Sequence, residues 1–420
     1  MAFTILFLWL FLPGLVPCSC DPETPPTETS NVSRIPAIQG VRSFFNNQNF
    51  ALSLYKQLPQ PKTGRNIIFS PLSIIVPLVL LAFQQPKPEA RHQVLQDLGF
   101  RVTGALDTKA AMQYGELLST LLHADHCGVQ TGSLLFIDKT LKPKKTFLTL
   151  ANSSYNSDVI LISFGNHELA KKQIDLAIRA KTHGKVTRLL RNLKPPTNLF
   201  LANYNFFKGK WKHSFNPKYT GMRYFSLGHG TNTLVPMMQR IGWFQLQYFS
   251  QMHSYVLQLP FTCRISGVFF LPNDGKLKEC EKALLEQSFD TWIQPLPLKK
   301  RWLFFPKFSI PVALQLERFR HVNSNLKLFN EHMDLSGITL QKAPLRVTTA
   351  VHRVELTVDE DGEEEDVSNI NFYPEPSLAT LHFNRSFLLL ILDEASNSLL
   401  FMGRVVNPTR VNISDIVHSP

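Results

Sequence analysis

The sequence predicts a protein of class α/β, mixed α+β in character, and three observations carry that expectation. The 420-residue chain is 44% hydrophobic, enough to bury a large core. FSPLSIIVPLVLLAF, from Phe69, has the composition of a buried helix. AVHRVELTV, from Ala350, alternates as a strand does, and the solidly apolar FLLLILDEASNSLLFMGRVV follows from Phe387. Length alone suggests two or three domains, yet no internal repeat breaks the chain, which reads as one continuous body behind a short leader.

The elements follow in order. Residues 1–20, MAFTILFLWLFLPGLVPCSC, read as a secretory signal peptide cleaved after Cys18 or Cys20, the apolar run being too short for a membrane span of roughly 20 residues. Residues 21–44 are a polar, flexible leader rich in Pro, Thr and Glu, and 411–420 form a C-terminal tail. Cleavage after Cys20 removes two of the five cysteines and leaves Cys127, Cys263 and Cys280, which allow at most one internal bridge and leave a thiol. Export gives meaning to the Asn-X-Ser/Thr sequons at Asn31, Asn152 and Asn412. A fourth, Asn384, lies in the apolar FNRSF run and is expected to be buried.

FALSLYKQL, from Phe50, begins an amphipathic helix, and a second starts where Ser70 can cap and Pro71 can occupy the first turn without losing a donor. Between Phe164 and Thr220, 12 Lys or Arg stand against Glu168 and Asp175, but Gly184 interrupts the helix and divides the stripe. The window is either an anion-binding face or a solvated helix. Lys299, Lys300 and Arg301 precede an aromatic strand, and Pro295 and Pro297 place them after a loop; they are the candidate sulfated-glycan site. The formal net charge of +12 agrees with an anionic partner without naming one.

Enzyme chemistry finds no foothold. The chain has no Gly-X-Ser-X-Gly elbow, no phosphate-cradling loop, no His-Glu-X-X-His and no Cys-X-X-Cys. His123, Asp125, His126 and Cys127 form HADHC, which lacks a second ligand cluster at metal spacing and reads as a helix end or loop. No catalytic residue, metal or cofactor is expected.

NIIFSPLSI at Asn66, LANYNFFKGKW at Leu201, VPMMQR at Val235, FPKFSI at Phe305, DLSG at Asp334, AVHRVELTVDEDG at Ala350, FNRSF at Phe383 and LLFMGRVVNP at Leu399 occur in the order and at the intervals of a serpin. The chain resembles the antitrypsin-like secreted branch of that family over residues 45–410. The resemblance implies a single domain with a large mixed β-sheet, further sheets, about nine helices and an exposed reactive loop at about 362–382. It also implies that buried polar groups at Ser70, Ser73, Asn203 and His352 hold the sheet closed, with Trp211 at the end where the loop enters. The residues agree for His352: it shares parity with Val354, Leu356 and Val358, so it belongs to the apolar face and needs a hydrogen-bond partner there.

Seven of the eight residues from Asp359 to Asp366 are acidic. In an inhibitory serpin the hinge after the glycine matching Gly362 consists of small residues that slip into the sheet. Here it reads Glu363, Glu364, Glu365, Asp366, and alternation buries two carboxylates in either register. Family spacing puts the scissile bond at Pro376-Ser377 counting from Gly362, or at Glu375-Pro376 counting from Phe383, and proline makes both poor bait. The expectation is a secreted, glycosylated, non-inhibitory serpin-fold monomer that binds or carries a small hydrophobic ligand or an extracellular protein, with a sulfated glycan as a further partner. It is expected to bind no nucleic acid and to have no membrane anchor. The rival is an inhibitor of serine proteases with an atypical loop.

Overall fold

The computed structural model describes residues 44–58, 65–317 with breaks at 103, 123–126, 190–192, 194–196 and 288, 334–363 with a break at 342–344, and 377–409. These residues belong to one compact unit. The first helix, α1 (Gln48–Gln57), starts two residues before Phe50, and a short strand, β1 (Ile67–Phe69), leads into α2 (Pro71–Ala82). Ser70 caps α2 by accepting from the Ser73 N–H, and every residue of this helix is buried, as its composition requires.

α3 (Pro88–Asp97), α4 (Thr108–Leu122), β2 (Val129–Asp138), α5 (Lys145–Tyr155), β3 (Ser157–Ile162), α6 (His167–Lys181) and β4 (Leu199–Lys208) follow. Next come β5 (Gly221–Gly228), β6 (Thr231–Phe249), β7 (Ser254–Pro260), β8 (Ile265–Pro272), α7 (Leu277–Glu286), α8 (Asp290–Ile293), β9 (Leu298–Pro306) and β10 (Phe308–Gln315). The chain closes with β11 (Thr349–Val358), β12 (Thr380–His382), β13 (Phe387–Asp393) and β14 (Leu399–Val405). Eight α-helices thus fall among the described residues.

Two sheets organise the body. One has five strands in the order β10-β11-β4-β2-β3, mixed because β11 runs parallel to β4 and β2 parallel to β3. The other has nine strands, β1-β14-β13-β8-β7-β6-β9-β12 with β5 added on β6; the 19-residue β6 ties its parts together by pairing β5 along its first part, β9 through its middle and β7 along its last. α6 lays Ala170, Ile174 and Ile178 on the outer face of the five-stranded sheet, against Phe136, Phe200 and Ala202. The opposite face joins the main core with α2 and β14. Cys127 bridges Cys263, leaving Cys280 as a buried thiol that burial pushes up to about 12.

Candidate functional site: the seam between β4 and β11

The five-stranded sheet has a parallel seam at its centre, where β11 pairs β4 from Thr349↔Phe200 to Thr357↔Lys208 without interruption. His352 lies opposite Asn203 across this seam. Both side chains are buried, and the polar residues of α2 meet them there. The Asn203 amide donates to Ser73 O (3.0 Å), Gly132 O (3.2 Å) and Ser133 Oγ (3.0 Å). Its Oδ1 accepts from Ser73 Oγ at 3.0 Å and lies 2.6 Å from His352 Nδ1. His352 Nε2 accepts from the Ser70 N–H at 3.1 Å, which leaves the proton on Nδ1 to donate to Asn203. Burial pushes the imidazole down to about 3, so it is neutral at every physiological pH.

The resemblance implied that Ser70, Ser73, Asn203 and His352 lie together, and the structure brings all four into one network. It adds Asn205, whose Nδ2 donates to Ser70 Oγ at 2.8 Å, Ser133, and Thr131 at 3.2 Å from Ser73 Oγ. The signal for Asn205 was present: it shares parity with Asn203 in an otherwise apolar strand, LFLANYNFFK. A cavity of about 10 Å³ adjoins the network between Ser73, Tyr155 and Asn203, room for roughly one water and for no organic ligand.

Trp211 closes the end of the seam. Its indole stacks on Phe261 (4.1 Å, 13°), and Nε1 donates to Asp359 O at 2.7 Å. Its backbone N–H donates to Asp361 O and its carbonyl accepts from the Glu363 N–H, both at 2.9 Å, so residues 361–363 run beside it as a short bridge. Gly362 is required at this point, because a Cβ would lie 2.7 Å from Trp211 O and 2.9 Å from Ser214 Cα.

The acidic run divides at Gly362. Asp359 pairs with Lys208 Nζ at 3.0 Å, and Asp361 approaches the same ammonium at 3.6 Å. Glu360, only 8% exposed, accepts from Lys307 Nζ (2.6 Å) and Thr220 Oγ1 (2.7 Å). Burial raises its pKa, but the bonds from Lys307 and Thr220 outweigh that and hold the carboxyl below its usual range. Glu363 is exposed and makes no ion pair among the described residues. Glu364, Glu365, Asp366, Glu375 and Pro376 lie outside the described residues, while Ser377 is an exposed turn residue ahead of β12. Glu360→Ala is expected to cost about 2 kcal/mol, since it strands Lys307 and Thr220 at a partly buried site. A lower urea midpoint at unchanged slope would register it.

Two expectations need correction. Lys299, Lys300 and Arg301 follow the loop at 294–297 as expected but do not precede the strand; they lie inside β9, opposite Phe244, Trp243 and Gly242 of β6, and all three are half-buried. Alternation sends Lys300 to the face opposite Lys299 and Arg301, so the three form no single patch. Asn384 is not buried; it is half-exposed between Phe383 and Phe387, which are. Asn152 is exposed on α5, whereas Asn31 and Asn412 lie outside the described residues, as do His123, Asp125 and His126; Cys127 is committed to its disulfide.

The family model for serpin (serine protease inhibitor) matches residues 45–408. The chain is a serpin. It is 33% identical to alpha-1-antiproteinase of Rattus norvegicus over 407 residues, 96% of this chain and 98% of the relative. The solved mouse protein-Z dependent protease inhibitor superposes on this serpin with a TM-score of 0.75 at 27% identity, covering 89% of this chain and 99% of the other. Human thyroxine-binding globulin, solved with thyroxine bound, superposes with a TM-score of 0.74 at 30% identity, covering 89% and 100%. The serpin's relatives therefore include both protease inhibitors and a ligand-binding globulin. No helix among the described residues is long and apolar enough to cross a membrane.

Proposed function

We propose that this serpin is a secreted, glycosylated, non-inhibitory binding or carrier protein. The observation that carries the reading is the charge that follows Gly362, where Glu363 begins four consecutive carboxylates. A strand added between β4 and β11 would turn alternate side chains toward Phe207, Leu356 and Val358, each no more than 1% exposed. Two carboxylates would meet that wall or the outer face beneath it, and each unpaired one costs several kcal/mol even after relaxation. Two cations that border this end of the seam, Lys208 and Lys307, already serve Asp359, Asp361 and Glu360. A protease that cleaved the loop would hydrolyse its acyl-enzyme before such a strand could form. No catalytic constellation supports an enzyme, and the thyroxine-bound relative supports ligand carriage on this fold.

Incubation with a panel of serine proteases is expected to give cleaved serpin and no SDS-stable complex. A stable complex with any of them would favour the rival inhibitory reading, for which the intact network at Ser70, Ser73, Asn203 and His352 speaks. The partner of the non-inhibitory protein is a small hydrophobic ligand or an extracellular protein. Sulfated glycan would be a second partner, held by Lys299 and Arg301 or by Lys300 on separate faces. On heparin, Lys299→Ser with Arg301→Ser should lower both retention and its salt dependence independently of Lys300→Ser. Unchanged elution for both variants would remove β9 as the glycan surface.

A further inference from the structure

We infer that Asn384 carries an N-linked glycan whose first sugars lie in the groove between β12 and the β7–β8 pair. The inference rests on the proposed export of the chain. The sequon Asn384-Arg385-Ser386 has interior residues on both sides, Phe383 and Phe387, which made burial the natural reading of the sequence. In the fold those two rings turn into the core, while the three sequon residues between them remain half-exposed in the connection from β12 to β13.

The asparagine is held in a way that leaves its amide nitrogen available. The Asn384 carbonyl accepts from the Ser226 N–H at 2.7 Å, and Oδ1 accepts from Arg385 Nη1 at 3.2 Å. Arg385 is itself anchored, donating from Nε to Pro272 O at 2.6 Å. Nδ2 has no hydrogen-bond partner among the described residues, and neither has the Ser386 hydroxyl. In front of them opens a groove of roughly 420 Å³ lined by Tyr255, Leu271, Thr380, Leu381 and His382, within the size of small-ligand sites. The half-exposed Tyr255 ring offers an apolar face to a pyranose, and Thr380 and His382 offer hydrogen bonds. A glycan there would cover the edge of β12 that no strand among the described residues pairs.

The modification needs one co-reactant, a lipid pyrophosphate-linked oligosaccharide. Nδ2 attacks C1 of the reducing-end N-acetylglucosamine and loses one proton. The N–C1 bond forms as the C1–O bond breaks, and the lipid pyrophosphate leaves with the electron pair. The transfer precedes folding, and the open groove lets the product fold without displacing Phe383 or Phe387.

The full chain, expressed in a secreting mammalian cell and recovered from the medium, is treated with peptide N-glycosidase in heavy-oxygen water and then mapped by mass spectrometry. Residue 384 is expected as heavy-oxygen-labelled aspartate, and Ser386→Ala, which leaves the Asn384 bonds in place, should migrate one glycan step faster on a gel. Unmodified Asn384 together with a labelled Asn152 would overturn the inference and leave export standing. Secreted protein with no glycan at any sequon would likewise overturn the inference alone, whereas a chain that stays in the cell, absent from the medium and with every sequon bare, would overturn export and this inference together.

Discussion

Nicking the loop of this serpin anywhere between Ile370 and Ala379 is expected to leave its melting temperature within a few degrees of the intact protein. A serpin that inserts its cut loop gains a strand's worth of backbone hydrogen bonds and releases stored strain. Here the first residues to enter would be Glu363 to Asp366, two of which would face Phe207, Leu356 and Val358 on the core side. A penalty of several kcal/mol at the start of insertion stops the remainder from following. Replacing Glu363 by Thr and Glu365, Asp366 and Ser368 by Ala removes it. The cleaved variant should then melt roughly 10–20 °C above its uncut form, given about 2–4 °C per kcal/mol in a domain of this size. Acid should relieve the wild-type block in part, because protonated carboxyls are cheaper to bury. A large upward shift in the cleaved wild type at neutral pH would sink the non-inhibitory reading.

Asn203→Ala is expected to cost about 3–5 kcal/mol, among the largest effects of any single change in this protein. It removes the amide that holds Ser73 O, Gly132 O and Ser133 Oγ, and it strands the proton on His352 Nδ1 in a fully buried site. The same network gives stability a pH dependence. His352 sits at about 3 in the fold and near 6.5 when unfolded, so the unfolded chain binds the extra proton between those values. The stability it contributes is complete above pH 6.5 and falls by about 1.4 kcal/mol per unit as pH drops toward 3. His352→Gln cannot take up a proton and should flatten that part of the curve, read from urea midpoints at pH 7 and pH 4.5. A wild-type midpoint that stays level over this range would show that the imidazole is not the titrating group.

Several features were legible in advance because they rest on local rules. The start of α2 follows from Ser70 as a cap and Pro71 in the first turn, and its burial from a run with no polar face. His352 could be placed on the core side of its strand by parity alone. Other features were hidden because they depend on residues far apart in the chain. Asn205 joins Ser70 across 135 positions, and Glu360 meets Lys307 across 53. The choice of Cys263 as the partner of Cys127 is a matter of proximity that spacing could not supply.

The two corrected readings failed for the same cause. Lys299, Lys300 and Arg301 are contiguous in sequence, but a strand divides neighbours between its faces, and only the pairing of β9 with β6 put them in a strand. Asn384 has apolar neighbours, but hydrophobic flanks show that Phe383 and Phe387 turn inward, not that the residue between them does. Capping, periodicity and residue type were enough for the mixed class, the buried helix at 71–82, the inward face of His352 and the charge that follows Gly362, whereas Ser70, Ser73 and Asn203 were grouped only by the resemblance to serpins. It took the folded arrangement to show which acids are spent on Lys208 and Lys307, that β4 and β11 pair from Phe200 to Lys208, and that Asn384 faces a groove. Side-chain partners across a fold are chosen by where distant strands come to lie, and no local pattern encodes that distance.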